Sequence, residues 1–300
     1  MKVENQRINL PVLHKKDIAL YVKREDTIHP VISGNKYRKL KYNIQEAKKE
    51  KLKTLLTFGG AYSNHIAATA CAGKEYGFKT IGVIRGEELA NKWITNPTLK
   101  QAAANGMQLH FVSREKYRQK TNAIFLKDLG NRFGNFYTLP EGGTNALAVK
   151  GCEEILTPDD TKFDFICTCV GTGGTIAGLI NTSRPNQIVL GFPVVKGDFL
   201  NSDIRKFAKN ENWKLNSEYH FGAYANITSE LIAFVNNFKK ETQIQLDPIY
   251  TGKLFYGLLD LIAKDYFERG TKILAIHSGG LQGISGMNMV LKKKKLPLLQ

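Results

Sequence analysis

FDFICTCVGTGGTIAGLINT, residues 163–182, decides the fold. From Phe163 to Val170 the chain is almost wholly apolar, the pattern of a strand buried on both faces. Gly171-Thr-Gly-Gly174 ends that strand, and a helix over 175–182 begins at once. Ile188 to Phe192 is the next apolar run and reads as a second strand. Strand, glycine turn, helix and strand make a βαβ unit, and such units build parallel sheets.

The same alternation runs outward in both directions. Toward the N-terminus, residues 18–24 read as a strand, and a helix runs from Lys36 to about Lys51. Strands follow at 54–58, 80–84, 108–112 and 136–139, with helices at 64–75, 97–105 and roughly 121–132 between them. A helix over 144–156 leads into the opening stretch. Toward the C-terminus, helices are expected near 200–212, 226–240 and 252–268, then a strand over 271–277 and a final helix opened by Ser278-Gly-Gly280. The expected fold class is α/β, with two domains that each hold a mostly parallel twisted sheet flanked by helices. The smaller domain, 50–140, is inserted between 1–49 and 141–300, which together form the larger. In such sheets ligands bind beyond the carboxyl ends of the strands. Gly59-Gly60, Pro140 to Gly143, Gly171 to Gly174 and Ser278 to Gly280 all fall at such ends.

Composition narrows the class. The 300 residues include 43 Lys and Arg against 27 Asp and Glu, a net charge of +16. That balance suggests nucleic acid first. Yet the lysines are scattered, and Lys292 to Lys295 is the one long run, with no aromatic stacking pattern between them. Solvated surface, with a field that draws in small anions, is the expectation, and nucleic acid is not an expected partner. No apolar run approaches the ~20 residues of a membrane span, and MKVENQRINL does not read as a secretory signal. The expected address is cytoplasmic. Cys71, Cys152, Cys167 and Cys169 have no C-x-x-C spacing, so no metal site is expected. Cys167 and Cys169 would share one strand face as small buried hydrophobes.

Four stretches can carry chemistry. Gly171 to Thr175 places backbone N–H groups and a helix dipole together, a cradle for phosphate. A Walker loop needs a lysine that is absent here, and the dinucleotide fingerprint needs glycine where Ile176 stands. The phosphate of a smaller cofactor passes both tests. In Ile32-Ser-Gly-Asn-Lys36, Gly34 permits an unusual turn, and Ser33 and Asn35 are capping residue types. Lys36 then lies on a first helical turn, where the dipole and burial favour a neutral amine, the form Schiff-base chemistry requires. Ser63 and Asn64 open another helix after Gly59-Gly60. Tyr250 sits in a Pro- and Gly-bounded loop, and His277-Ser278 closes a strand. Each has a plainer reading: a surface lysine, a capping serine, a packed ring.

Together these stretches resemble the 1-aminocyclopropane-1-carboxylate deaminase / D-cysteine desulfhydrase family. That family consists of pyridoxal-phosphate enzymes in the tryptophan-synthase β-subunit-like group, fold type II. Six segments carry the resemblance in order over nearly the whole chain: SGNKYRKL, GGAYSNH, PEGGTN, VGTGGT, DPIYTGK and HSGG. The resemblance implies pyridoxal 5'-phosphate as cofactor, a small amino acid as substrate and a homodimer, with the larger domain binding the cofactor. Lys36 would carry the cofactor and move the α-proton. Gly171, Thr172, Gly173, Gly174 and Thr175 would hold its phosphate, Asn64 its 3-hydroxyl, and Ser278 would face its pyridine nitrogen. Ser63, Asn64 and His65 would receive the substrate carboxylate, Ser63 also relaying a proton. Tyr250 would line the pocket as an acid/base, with Tyr224 beside it. The family's ring-opening deaminases carry Tyr-Glu where this chain has Tyr250-Thr251, the pair of the desulfhydrases. The implied activity is therefore β-elimination from D-cysteine. Cyclopropane-carboxylate deamination and D-serine-type dehydration are the enzymatic alternatives, and a basic nucleic-acid-binding protein is the non-enzyme one.

Overall fold

The computed structural model describes residues 3–197 and 199–300. The first stretch holds β1 (Asn5–Arg7), α1 (Pro11–Lys16), β2 (Ala19–Lys23) and α2 (Asn35–Lys49). Then come β3 (Thr54–Gly59), α3 (Asn64–Tyr76), β4 (Lys79–Arg85), α4 (Pro97–Ala104), β5 (Met107–Val112), α5 (Arg114–Arg118), α6 (Ala123–Phe133) and β6 (Tyr137–Leu139). After these the chain runs through α7 (Ala146–Cys152), β7 (Phe165–Val170), α8 (Gly174–Thr182), β8 (Ile188–Pro193), α9 (Phe199–Arg205) and β9 (Trp213–Leu215). It ends with α10 (Ser229–Thr242), α11 (Thr251–Ala263), β10 (Lys272–Ile276) and α12 (Gly283–Lys293).

These strands form two sheets. One has the order β1-β2-β10-β7-β8-β9, parallel except for β1; the other is β5-β4-β3-β6, wholly parallel. The apolar runs noted above are strands covered on both faces. In β7, Cys167 and Cys169 face a layer built from α1, α10, α11 and α12, while Ile166 and Val170 face α7, α8 and α9. In β3, Leu55 packs on α2 and α3, and Leu56 turns the other way toward Tyr117, Phe125 and Leu129.

Helix α2 belongs to both halves. Its stripe Leu40, Ile44 and Ala47 is buried against Leu55 and Leu139 of the four-stranded sheet. Its other side crosses α7 so closely that a Cβ on Gly151 would overlap the Arg38 carbonyl. Arg38 also donates a fork of hydrogen bonds, 2.9 and 2.8 Å, to the fully buried Glu25. Paired in this way, a buried arginine and carboxylate hold direction as well as position.

The structure departs from the expected elements where apolar signal is weakest. Asn5-Gln-Arg7 and Trp213-Lys-Leu215 are strands of three residues each, one at either edge of the larger sheet. Neither is long enough to show alternation. The helix near 200–212 ends at Arg205 and makes room for β9, and those over 144–156 and 252–268 stop at Cys152 and Ala263. Helix α12 opens at Gly283, not directly after Gly280.

Candidate active site

Loops from the carboxyl ends of β3, β6, β7 and β10 meet α2 in one cleft. Two adjoining hollows there share Asn35, Lys36, Asn64 and Tyr250. The larger is lined by Lys36, Ser63, Asn64, His65, Gly171, Thr172, Gly173, Thr175, Tyr224 and Tyr250, and the smaller adds Ser278. Gly174 lies just behind the loop, where a Cβ would press on Thr144 Oγ1 and Lys39 Nζ. The cleft thus brings together every site residue expected from the sequence.

Lys36 sits in the first turn of α2. The capping expected of Ser33 or Asn35 does not occur: Gly34 occupies the cap position and no side chain caps the helix. Asn35 instead accepts a hydrogen bond from Lys36 Nζ (3.0 Å) and donates to Thr175 Oγ1 (2.8 Å), joining the lysine to the glycine loop. Burial, then the charge of Lys39, lowers the Lys36 pKa from 10.5 to about 7. Ser63 does cap α3, accepting from Ile66 N at 3.3 Å. Next to it His65 is buried with both ring nitrogens lacking a partner among the described residues. Burial and the two lysines hold its pKa well below 6.5, so the imidazole is neutral.

Tyr250 and Tyr224 meet at their hydroxyls, 2.8 Å apart, with rings edge to face. Burial raises both phenol pKa values, and each stays protonated. The turn that presents Tyr250 is built on Asp247, a buried carboxylate that accepts from the backbone N–H groups of Ile249, Tyr250 and Thr251 and from the Thr251 hydroxyl. Burial raises the Asp247 pKa against those bonds. Ser278 Oγ lies 3.2 Å from Cys169 Sγ, whose pKa burial pushes up to about 12.

Sequence reading missed Lys39. Its Nζ donates to Gly142 O (3.1 Å) and Thr144 Oγ1 (2.9 Å), with Thr172 Oγ1 at 3.5 Å. The signal was present, because Lys39 follows Lys36 by three residues and so shares its helix face. Burial lowers its pKa too.

The sequence profile of the pyridoxal-phosphate dependent enzymes matches residues 5–279. The chain belongs to this family. A bifunctional D-cysteine desulfhydrase/1-aminocyclopropane-1-carboxylate deaminase of Arabidopsis thaliana is 34% identical over 307 aligned positions, covering 93% of this chain and 76% of its own. A Pyrococcus horikoshii protein provisionally named 1-aminocyclopropane-1-carboxylate deaminase is 35% identical over 287 positions, with 88% and 85% covered. Among solved structures, an ACC deaminase homologue superposes with a TM-score of 0.81 at 28% identity, over 97% of this chain and 94% of that one. The fold is thus that of fold type II pyridoxal-phosphate enzymes, and the protein is a pyridoxal-phosphate enzyme similar to proteins named as deaminases and desulfhydrases.

The cleft fits that cofactor. Lys36 and Lys39 are two desolvated amines, charged whenever protonated, with no carboxylate paired to either among the described residues. A buried charge of this kind calls for an anion. Glycine N–H groups stand beside them, and the neutral His65 ring has two unmet hydrogen-bonding atoms. A reactive amine next to an anion cradle suits an aldehyde that carries a phosphate. Uptake of pyridoxal phosphate by the cofactor-free protein should accelerate through about pH 7 and level off above it. At about pH 8 such an amine is ~90% neutral against ~0.3% for an ordinary lysine, a ~300-fold gain in nucleophile. Stopped-flow absorbance across pH checks this; a rate still climbing beyond about pH 9 contradicts it.

Proposed function

We propose that this enzyme is a lyase that eliminates the β-substituent of a small amino acid, with D-cysteine the best-supported substrate. D-cysteine and water give pyruvate, hydrogen sulfide and ammonia. The observation that carries the reading is the buried Lys36 amine, neutral in large part near pH 7, beside an anion cradle and near a pair of protonated phenols. Bound pyridoxal phosphate supplies an electron sink conjugated to the substrate's α-carbon. Lys36 carries it and moves the α-proton. Backbone N–H groups of Gly171 to Thr175, with Lys39, would hold the phosphate, and Asn64 would bond the 3-hydroxyl. Ser278, a neutral hydroxyl, would face the pyridine nitrogen without fixing a proton there. Ser63, Asn64 and His65 take the carboxylate, and Ser63 also relays a proton. Tyr250, kept protonated by burial, hands a proton to the departing sulfur, and Tyr224 orients it. The residues between 50 and 140 form the smaller domain and 1–49 with 141–300 the larger; the two separate sheets support that division. Among the described residues no helix is long and apolar enough to cross a membrane. A cytoplasmic homodimer is the expected form, and sedimentation tests its size.

The choice among substrates rests on Thr251. Its side chain is fully buried and its hydroxyl donates to Asp247, so the position after Tyr250 offers a hydroxyl and no carboxylate. D-cysteine should turn over readily and the cyclopropane substrate negligibly. Parallel assays of D-cysteine, L-cysteine, D-serine and 1-aminocyclopropane-1-carboxylate decide it, and brisk ring opening overturns the assignment. The names borne by the relatives favour that deamination as the second reading.

A further inference from the structure

Lys253 closes the DPIYTGK segment, and no step proposed for the reaction uses it. A lysine on a helix ordinarily runs its stem along the surface and leaves its ammonium in water. Lys253 is 1% exposed. From the first turn of α11 it reaches into the loop between β9 and α10. There Nζ donates to the carbonyl oxygens of His220 (2.8 Å), Ala223 (2.9 Å) and Tyr224 (3.3 Å). Those three bonds use every proton of an ammonium. The ring of Phe221 lies 6.0 Å away, and among the described residues no carboxylate pairs with Lys253. Burial lowers its pKa to about 8, with Asp247 opposing. Backbone carbonyls gathered around a dehydrated cation are the means by which proteins bind monovalent ions.

The loop that supplies the carbonyls, 216–228, contains no helix or strand. It also carries Tyr224, whose hydroxyl meets that of Tyr250. Tyr250 precedes Lys253 by three residues, so one ammonium links the two backbone segments that present the two phenols. We propose that Lys253 is a positioning residue acting as a tethered monovalent cation: it gathers the carbonyls of His220, Ala223 and Tyr224 and so keeps the Tyr224 phenol over the reaction cavity. This rests on Tyr224 and Tyr250 lining the substrate pocket, but the ordering of the loop is independent of which substrate is used.

The test compares wild-type holoenzyme with Lys253→Ala and Lys253→Met in ammonium chloride and in tetramethylammonium chloride at equal ionic strength. Amide hydrogen exchange of residues 216–228 is read beside kcat and KM for D-cysteine. In tetramethylammonium, Lys253→Ala should exchange about tenfold faster or more across that loop, with a raised KM. Ammonium, small enough to enter the vacated cage, should restore both. Lys253→Met fills the space without a charge, so its loop should stay loose in either salt. Accumulation of folded Lys253→Ala only in ammonium also supports the proposal. Wild-type exchange rates in Lys253→Ala, or equal behaviour in the two salts, folded or not, overturns it. Failure of wild-type enzyme to turn over D-cysteine strikes the substrate assignment alone, because the exchange readout remains.

Discussion

Lys36→Ala should fold, take up no covalent pyridoxal phosphate, and turn over D-cysteine about 10³–10⁴-fold more slowly than wild type. The two roles proposed for Lys36, tether and base, disappear together, while the proposed phosphate cradle stays intact. Reversible, colour-shifted binding of the cofactor should therefore persist. The variant should also be the more stable protein when cofactor-free. Folded Lys36 titrates at about 7 and an ordinary lysine at 10.5. Between those values the unfolded chain holds a proton that the folded chain lacks, so this residue makes stability rise with pH across the window. Below about pH 7 both states are charged and the burial cost is fully present. Alanine removes that cost. The gain should be largest at about pH 6, on the order of 4 kcal/mol, and vanish by about pH 10.5. A residue kept at such a cost is one that function requires. Borohydride reduction with peptide mapping, and urea melts across pH, read the two halves. A label found on another side chain of Lys36→Ala, or turnover within tenfold of wild type, sinks the assignment.

The sequence made the glycine corners of the cleft legible because glycine clusters after apolar runs have few other physical uses. Gly171 to Gly174 can be read as a cradle without coordinates, since strand, turn and helix are contiguous there. What the chain could not announce is how distant segments meet. Cys169 read as an inert core residue, and its strand-face partner Cys167 is one; the fold instead puts Cys169 on the cavity lining, with Ser278, 109 residues later, against its thiol. Thr144 and Thr172 share a 2.6 Å hydrogen bond next to Lys39, a constellation of three segments with no local pattern. Asp247 gave no sequence signal because its work is internal: it folds its own turn so that Tyr250 points into the cleft. The edge strands β1 and β9 were lost for a different reason. They are three residues each, and they exist because the neighbouring strand offers a free hydrogen-bonding edge.

Gly34→Ala should be the most damaging conservative change outside the reacting groups. Gly34 has φ +61° and ψ −140°, backbone that L side chains avoid. Its missing side chain faces another backbone directly: a Cβ would overlap the carbonyl of Ser278 and lie 2.6 Å from Gly279 N. The two loops are joined there by a hydrogen bond from Asn35 N to Ser278 O, 3.2 Å. Separating them to ordinary contact moves Lys36 and Ser278 apart, and these residues are proposed to address opposite ends of one rigid cofactor ring. Strain and overlap together cost about 3–5 kcal/mol, a large share of the stability of an ordinary domain. A displacement of about 1 Å at the reacting groups costs a further ~10²-fold in rate. Gly106→Ala is the control, because Gly106 also has positive φ, +86°, yet nothing lies within 4 Å of an added Cβ. It should lose only about 1–2 kcal/mol and keep full activity. The difference between the variants isolates the contact between loops from the backbone preference for glycine. Urea midpoints, with cofactor absorbance per subunit, measure it. Equal stability and equal cofactor content in the two variants would show that the approach of residue 34 to residue 278 does not hold the site together.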